Sequence, residues 1–256
     1  MMREFLGFGG YTRPAEGFLS WQHLTFVTAL VAVMILLAVV LGRKNRLAGY
    51  RVKNRVLIAA ALLLDGLEIF KIVILCLRSE SWDPVLYNLP LFLCSIQLIS
   101  IPMAAFCKGR LRDAALDFVS IFGMLGAILG TYGAGNNYSC YPVLSLDNVV
   151  SGLTHCISGF AALYILISGM TSLEKKNIPL TCGILLGFCG GAYGANMLLD
   201  SNYMFLVRGD GTPYDVLFNM VGGNPLWYPL GVVALFFLYI GIFYGVHFLC
   251  AKKAKV

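Results

Sequence analysis

The amino-acid sequence predicts an all-α, polytopic membrane protein that forms a single integral membrane domain over residues 1–256. Three observations lead to this prediction: an apolar composition, a series of apolar runs of bilayer-spanning length, and an uneven distribution of basic residues between those runs. Each is a physical requirement for a chain whose segments cross a bilayer several times.

The composition is too apolar for a soluble domain. Of the 256 residues, 59% are hydrophobic and 12% are charged, whereas soluble domains carry about 25% charged residues. The stretches between the apolar runs are at most about 30 residues long, which is too short for a separate soluble domain. The formal net charge is +6, and we attribute it to membrane topology rather than to a nucleic-acid partner.

Seven apolar runs reach the length of about 20 residues that a transmembrane helix needs. They cover residues 19–41, 54–77, 88–107, 114–132, 149–169, 179–199 and 226–249. We therefore predict a bundle of about seven transmembrane helices, in which each run crosses the membrane in the direction opposite to the previous one.

The basic residues are concentrated in alternate connections. Fourteen belong to the connections on one side or to the C-terminal tail: Arg43, Lys44, Arg46, Arg51, Lys53, Arg55, Lys108, Arg110, Arg112, Lys175, Lys176, Lys252, Lys253 and Lys255. Four belong to the other side: Arg3, Arg13, Arg78 and Arg208. Because cytoplasmic loops are enriched in Lys and Arg, we expect an outer N-terminus, a cytoplasmic C-terminus and a multi-pass location in the cell membrane.

The second run contains three charged residues, Asp65, Glu68 and Lys71, at a depth where charge is expensive. Insertion scales put the cost at roughly 2.5–3.5 kcal/mol per residue, so these side chains should face protein or a wet cavity. Their i, i+3, i+6 spacing puts them on one helix face, where Glu68 and Lys71 can pair. The pair is either a structural ion pair or part of a site, in which Glu68 and Lys71 support the reactive groups or contact the substrate.

A cysteine and two histidines are predicted to lie at a similar depth on other helices. At 1.5 Å per helical residue, Cys94 and His155 lie roughly 9 Å and His23 roughly 6 Å below the outer surface, about the depth of phospholipid ester carbonyls. A buried cysteine is usually inert, but a Cys–His pair can generate a thiolate that attacks an ester. Gln97 or Asn196 could then donate a hydrogen bond to the oxyanion.

No metal or cofactor is expected. The eight cysteines are scattered without a Cys-x-x-Cys pair, so neither a disulfide framework nor a zinc site is indicated. Two histidines and a glutamate resemble a zinc ligand set, but the His-Glu-x-x-His spacing is absent.

Two further patterns concern loops and helix packing. The long connection 200–225 is expected to fold over the entrance of the site, with Asn202 and Tyr203 contacting the substrate, because long ordered loops are more often functional than spacers. The fourth and sixth runs are striped with glycine, as in Gly126-x-x-x-Gly130 and in the run that contains Gly183 and Gly187. Such stripes let helix backbones approach closely, so both runs are expected to pack tightly.

Four short motifs follow one another along the chain. They are Leu-Pro-Leu-x-Leu-Cys at 89–94, Thr-His at 154–155 followed by Ala-Ala-Leu-Tyr at 161–164, Asn-Tyr-x-Phe-Leu at 202–206, and Trp-Tyr at 227–228. In this order they resemble the YwaF-like integral membrane family, which is related to the transmembrane-protein-164 acyltransferases of animals. The resemblance implies acyl transfer between phospholipids through a thioester on Cys94, with a histidine as base. Phe92 stands where bacterial members often have histidine, so the base here would be His155 or His23.

The leading hypothesis is therefore a lipid acyltransferase or lipid hydrolase that acts on a membrane phospholipid or a similar lipid. The alternative is a transporter or binding protein that holds a polar solute or a proton on Asp65, Glu68 and Lys71. A third interpretation is a structural membrane partner that uses none of these groups chemically. The sequence predicts no particular protein partner.

Overall fold

The computed structural model describes residues 2–171 and 173–253, and this part of the chain is helical, without a β-strand. The helices in chain order are α1 (Met2–Phe5), α2 (Trp21–Asn45), α3 (Tyr50–Ser79), α4 (Asp83–Tyr87), α5 (Gln97–Phe106), α6 (Gly109–Tyr132), α7 (Gly135–Cys140), α8 (Leu146–Ser168), α9 (Ile178–Leu199), α10 (Tyr214–Met220) and α11 (Trp227–Lys253). Short 3₁₀ turns lie at Lys175–Asn177 and Tyr203–Phe205. The predicted all-α class is confirmed.

Five of the described helices, α2, α6, α8, α9 and α11, are long and apolar enough to cross a membrane. Helix α3 has 30 residues, a length of about 45 Å, but its central turns contain Asp65, Glu68 and Lys71. The protein is therefore a multi-helix membrane protein.

The third predicted run is not a continuous helix. Residues 88–96 form turns, and α5 begins only at Gln97 and has 10 residues. Pro90 has no backbone N–H to donate, and the side-chain oxygen of Ser95 accepts the backbone N–H of Phe92 at 3.0 Å in place of a helical carbonyl. The prediction of a helix over 88–107 is therefore wrong for its first half, and Cys94 lies in the turn before α5.

Helix α6 is the centre of the bundle. It packs against α5, α8 and α9, and α8 in turn packs against α2 and α3. A Cβ on Gly123 would lie 2.8 Å from the carbonyl oxygen of Ser158, so the close approach of α6 and α8 requires glycine there, as predicted for this run. In α9, a Cβ on Gly183 or Gly187 would meet no described atom within 4 Å. The predicted tight packing of that stripe is therefore wrong, because α9 turns these glycines away from the bundle.

An N-terminal strap, residues 2–18, joins the ends of α3 and α8. Arg78 of α3 forms an ion pair of 2.8 Å with Asp147 of α8. The Tyr11 hydroxyl donates to Asp147 at 2.5 Å and accepts from Arg78 at 3.0 Å. Burial, reinforced by the Asp147 carboxylate, raises the pKa of Tyr11 to about 12, so this hydroxyl remains a donor at neutral pH. The strap thereby fixes the spacing of the two helices that line the candidate site.

A buried carboxylate holds the opposite end of the bundle together. Asp117 of α6 is fully buried and accepts hydrogen bonds from the Tyr244 hydroxyl at 2.7 Å, from Asn177 Nδ2 at 3.0 Å and from Thr171 Oγ1. These bonds connect α6 to α11 and to the α8–α9 connection. Hydrogen-bonded networks of this kind specify a unique packing, because an unpaired polar group in the interior is costly.

Candidate cysteine–histidine site

Cys94 lies in the turn that leads into α5, three residues before the helix begins at Gln97. The backbone N–H groups of Cys94 and Ser95 lie beside the Cys94 sulfur. Free N–H groups and the helix dipole favour an anion at a helix N-terminus, and reactive cysteines are found in such surroundings. The break in the predicted helix therefore gives Cys94 a setting that a helix interior would not supply.

His155 of α8 lies beside Cys94, close enough for the two side chains to interact electrostatically, and both line the same pocket. Its Nδ1 lies 2.6 Å from the carbonyl oxygen of Ser151, one helical turn earlier. That short contact assigns the proton to Nδ1, so Nε2 is free to accept a proton from the thiol. The structure thus brings together the cysteine and one of the two histidines that the sequence placed at the same depth.

Two glycines of α6 pack directly against Cys94 and His155. A Cβ on Gly126 would lie 3.4 Å from Cys94 Cα, and a Cβ on Gly130 would lie 1.7 Å from Cδ2 of His155. The imidazole of His155 therefore occupies the space that any other residue at position 130 would fill. The sequence showed these glycines only as a packing stripe, because the residues that pack against them are remote in the chain.

Gln97 lies at the start of α5 and is fully buried. Neither its Nε2 nor its Oε1 has a hydrogen-bond partner among the described residues, although the side chain lines the same cavity as Cys94 and His155. Leaving a buried amide unpaired costs about 1–3 kcal/mol. This amide is therefore available to a bound ligand.

The site comprises two neighbouring chambers that share part of their lining. The reactive pocket, which contains Cys94 and His155, has a volume of about 150 Å³, and the vestibule beyond it has a volume of about 630 Å³. Four residues line both chambers: Lys71, Tyr87, Asn88 and Ser151. The reactive pocket can hold an ester group, and the larger, more polar vestibule can hold a headgroup.

The three charged residues of α3 separate into two environments. Glu68 and Lys71 form an ion pair of 2.6 Å and both line the reactive pocket, whereas Asp65 lines neither chamber. Asp65 Oδ1 is buried without a hydrogen-bond partner among the described residues. The structure therefore brings only two members of the predicted charged face to the candidate site.

The structure does not bring His23 to Cys94. Its Nε2 is 3.1 Å from the Thr131 carbonyl oxygen, and its Nδ1 accepts the backbone N–H of Leu19 at 3.1 Å. The ring packs on Tyr138 with centroids 3.9 Å apart, and the residue is fully buried. Both ring nitrogens are therefore occupied: Nε2 connects α2 to α6, and Nδ1 holds the segment just before α2.

Asn196, Asn202 and Tyr203 do not line either chamber. Asn196 pairs with the backbone of Tyr203, and Asn202 pairs with the backbone of Val207 and Arg208. Amide side chains readily satisfy loop backbone in this way, which leaves neither of them free for the substrate or oxyanion contacts that we predicted. Tyr203 contacts the Cys94 segment from outside the pocket.

The fold and this site define an all-helical integral membrane protein with a cysteine–histidine pair at the inner end of a two-chambered cavity. A family model described as the TMEM164 family matches residues 18–244. The chain belongs to this family, as its motifs indicated. No curated protein and no solved structure matches it significantly.

Proposed function

We propose that the protein is a membrane-embedded lipid acyltransferase, or lipid hydrolase, that carries the acyl group as a thioester on Cys94. The supporting observation is that Cys94 and His155 lie side by side in a pocket that also contains the unpaired amide of Gln97. The substrate is a membrane phospholipid or a similar lipid, and the protein acts in the cell membrane.

The proposed topology has about seven crossings in one domain, with the N-terminus outside and the C-terminus in the cytoplasm. In addition to the five apolar helices, α3 is the second crossing, and residues 88–106, a turn segment followed by α5, are the third. The ion pair of Glu68 and Lys71 at the reactive pocket supports the first assignment, and the basic connections support the orientation. The reactive pocket then lies in the outer half of the bilayer.

The first half of the reaction transfers the acyl group to the enzyme. His155 Nε2 takes the thiol proton of Cys94, and the thiolate sulfur bonds to the carbonyl carbon of the lipid ester. The amide N–H of Gln97 donates to the oxyanion that forms. When the carbonyl re-forms, the ester C–O bond breaks, and the imidazolium of His155 gives its proton to the leaving alkoxide.

The second half regenerates the free cysteine. A hydroxyl of the acceptor lipid gives its proton to His155 while its oxygen attacks the thioester carbonyl. The C–S bond then breaks, and His155 returns the proton to the Cys94 sulfur. With water in place of the acceptor, the same steps release a free fatty acid.

The first test is detection of the thioester. Purified wild-type protein incubated in vesicles with a phospholipid that bears an alkyne-tagged acyl chain should gain one acyl group, and peptide mapping should place it on Cys94. Hydroxylamine at neutral pH should remove the label, because it cleaves thioesters much faster than oxygen esters. The Cys156→Ala protein, which lacks a buried thiol of α8 outside the reactive pocket, should label like wild type.

Absence of any acyl adduct in wild-type protein, under conditions where lipid turnover is measured, would exclude the thioester mechanism. If no lipid is turned over and Glu68→Gln abolishes uptake or binding of a polar solute, the transport alternative would be favoured instead.

Replacing Gln97 with leucine should raise stability and lower activity together. The variant removes two unpaired buried polar atoms at nearly constant volume, which is worth about 1–3 kcal/mol, so the melting temperature in detergent should rise. The same change removes the proposed oxyanion donor, and acyl-adduct formation should slow about 10²–10³-fold. Both quantities can be measured on one preparation, by thermal shift and by adduct kinetics.

Asn196→Leu provides the matched control for Gln97→Leu. Asn196 is also a buried amide, but its oxygen and nitrogen are fully paired at 2.6–3.0 Å, so its loss should lower the melting temperature. A Gln97→Leu protein that melts earlier than wild type and forms adduct at the wild-type rate would contradict the proposed role of Gln97.

A further inference from the structure

Tyr203 contacts the segment that precedes Cys94 at two points. Its hydroxyl donates to the carbonyl oxygen of Leu86 at 2.5 Å. Its ring packs edge-on against Phe92, with centroids 5.0 Å apart. Phe92 lines the reactive pocket and lies two residues before Cys94, so Tyr203 holds both the beginning and the end of the segment 86–92.

Tyr203 is itself held firmly. Asn196 accepts the backbone N–H of Tyr203 at 2.6 Å and donates to its carbonyl oxygen at 3.0 Å. Tyr203 is 1% exposed. Because both backbone polar groups of Tyr203 are hydrogen-bonded, its side chain has a fixed position. It can therefore hold the residues that it contacts in place.

The chain immediately after Tyr203 is strained. Met204 and Phe205 both have φ of 55°, a left-handed conformation that costs non-glycine residues roughly 1–2 kcal/mol each. Such conformations persist only where surrounding contacts over-determine them. Phe205 adds a second ring beside Phe92, at 6.1 Å between centroids. Tyr203 and Phe205 therefore both pack their rings against the segment that precedes Cys94.

We propose that Tyr203 is a positioning residue for the reaction, which holds the Cys94 turn within reach of His155 through Leu86 and Phe92. It touches no substrate, because its side chain lines neither chamber. The kinetic consequence rests on the proposed thioester function, whereas the geometric consequence concerns only the Cys94–His155 contact. A displacement of about 1 Å in a reacting group can cost 10²-fold in rate.

The test uses Tyr203→Phe, which keeps the ring on Phe92 and removes the hydroxyl contact. At saturating lipid, the rate of acyl-adduct formation should fall about 10- to 100-fold, and the half-saturating lipid concentration should not change. In parallel, the pH profile of Cys94 alkylation by a small maleimide, followed by peptide mapping, should move toward that of His155→Gln. Tyr203→Phe moves the thiol away from the imidazole, and His155→Gln removes the imidazole. Glu68 and Lys71, the charged groups of the same pocket, are retained in both variants.

Tyr228→Phe is the matched control. Tyr228 is equally buried, but its hydroxyl has no hydrogen-bond partner among the described residues, so this variant should behave like wild type in both assays. A Tyr203→Phe protein whose alkylation profile coincides with that of wild type would overturn the positioning role. Absence of the adduct from wild type would overturn the proposed function alone, because the alkylation profile does not depend on it.

Discussion

In a Cys94→Ala variant, the hydroxylamine-sensitive acyl adduct is expected to be absent at every reaction time. Among the described residues that line the reactive pocket, Cys94 alone has a thiol, so its loss removes the intermediate rather than slowing its formation. Lipid turnover should fall to the uncatalysed level. Mass spectrometry of the intact protein and release of lyso-lipid measure the two effects independently.

In a His155→Gln variant, adduct formation is expected to slow rather than to stop. The thiol remains but loses its proton acceptor, and general acid–base catalysis is typically worth 10²–10⁴-fold, so the adduct should still form, only much more slowly. Cys156→Ala should retain the wild-type rate, because Cys156 packs in a separate cluster with Met34 and Ala127. A Cys94→Ala protein that still turns over lipid would refute the mechanism.

Gly130→Ala is expected to have the second-largest effect, although position 130 carries no reactive group. The added methyl would lie 1.7 Å from Cδ2 and 2.1 Å from Nε2 of His155, far inside van der Waals contact, so the imidazole must leave its position. Adduct formation should therefore drop as far as in a histidine variant, about 10²–10⁴-fold. Forcing a group into a packed site also costs stability, typically 1–3 kcal/mol, which thermal unfolding in detergent would detect.

Two comparison variants show whether the effect of Gly130→Ala comes from displacement of the His155 ring or from a general effect of alanine in a helix. Gly187→Ala in α9 introduces the same methyl where no described atom lies within 4 Å, so neither activity nor melting temperature should fall. In a His155→Ala background, Gly130→Ala should no longer reduce stability, because the ring that it would strike is absent. If the stability loss persists in that background, the clash with His155 is not its cause.

The polar layer was only partly predictable from the sequence. Counting residues along the predicted helices leads us to expect Cys94, His155 and His23 at a similar depth, although Cys94 lies in a turn, where helical rise does not apply. Rotation about the helix axis and the choice of neighbours could not be predicted in this way. His23 packs against Thr131 and Tyr138, where its Nε2 has a hydrogen-bond partner. His155 instead packs against Gly130 and lies beside Cys94.

The assignment of the amides shows the same limit. Gln97 and Asn196 are both buried amides, and the sequence could not distinguish a paired amide from an unpaired one. Pairing depends on which backbone groups lie within about 3 Å, and those of Asn196 belong to a loop whose path is set by tertiary contacts. Gln97 has no such neighbour among the described residues, so it alone remains free to bind a ligand.

The sequence by itself determined the helical class, the membrane environment, the approximate positions of most long helices and the family resemblance. These features follow from composition, hydrophobic run length and local motifs, which are properties of neighbouring residues. Only the tertiary structure decided that the segment 88–96 is not helical before α5. It also decided that the glycines of α6 pack against the reactive pair while those of α9 face outward. Finally, it decided that Tyr203 contacts the segment that precedes Cys94. Each of these features depends on contacts between residues that are far apart in the chain. A pattern of hydrophobic and polar positions does not specify the distances between such residues.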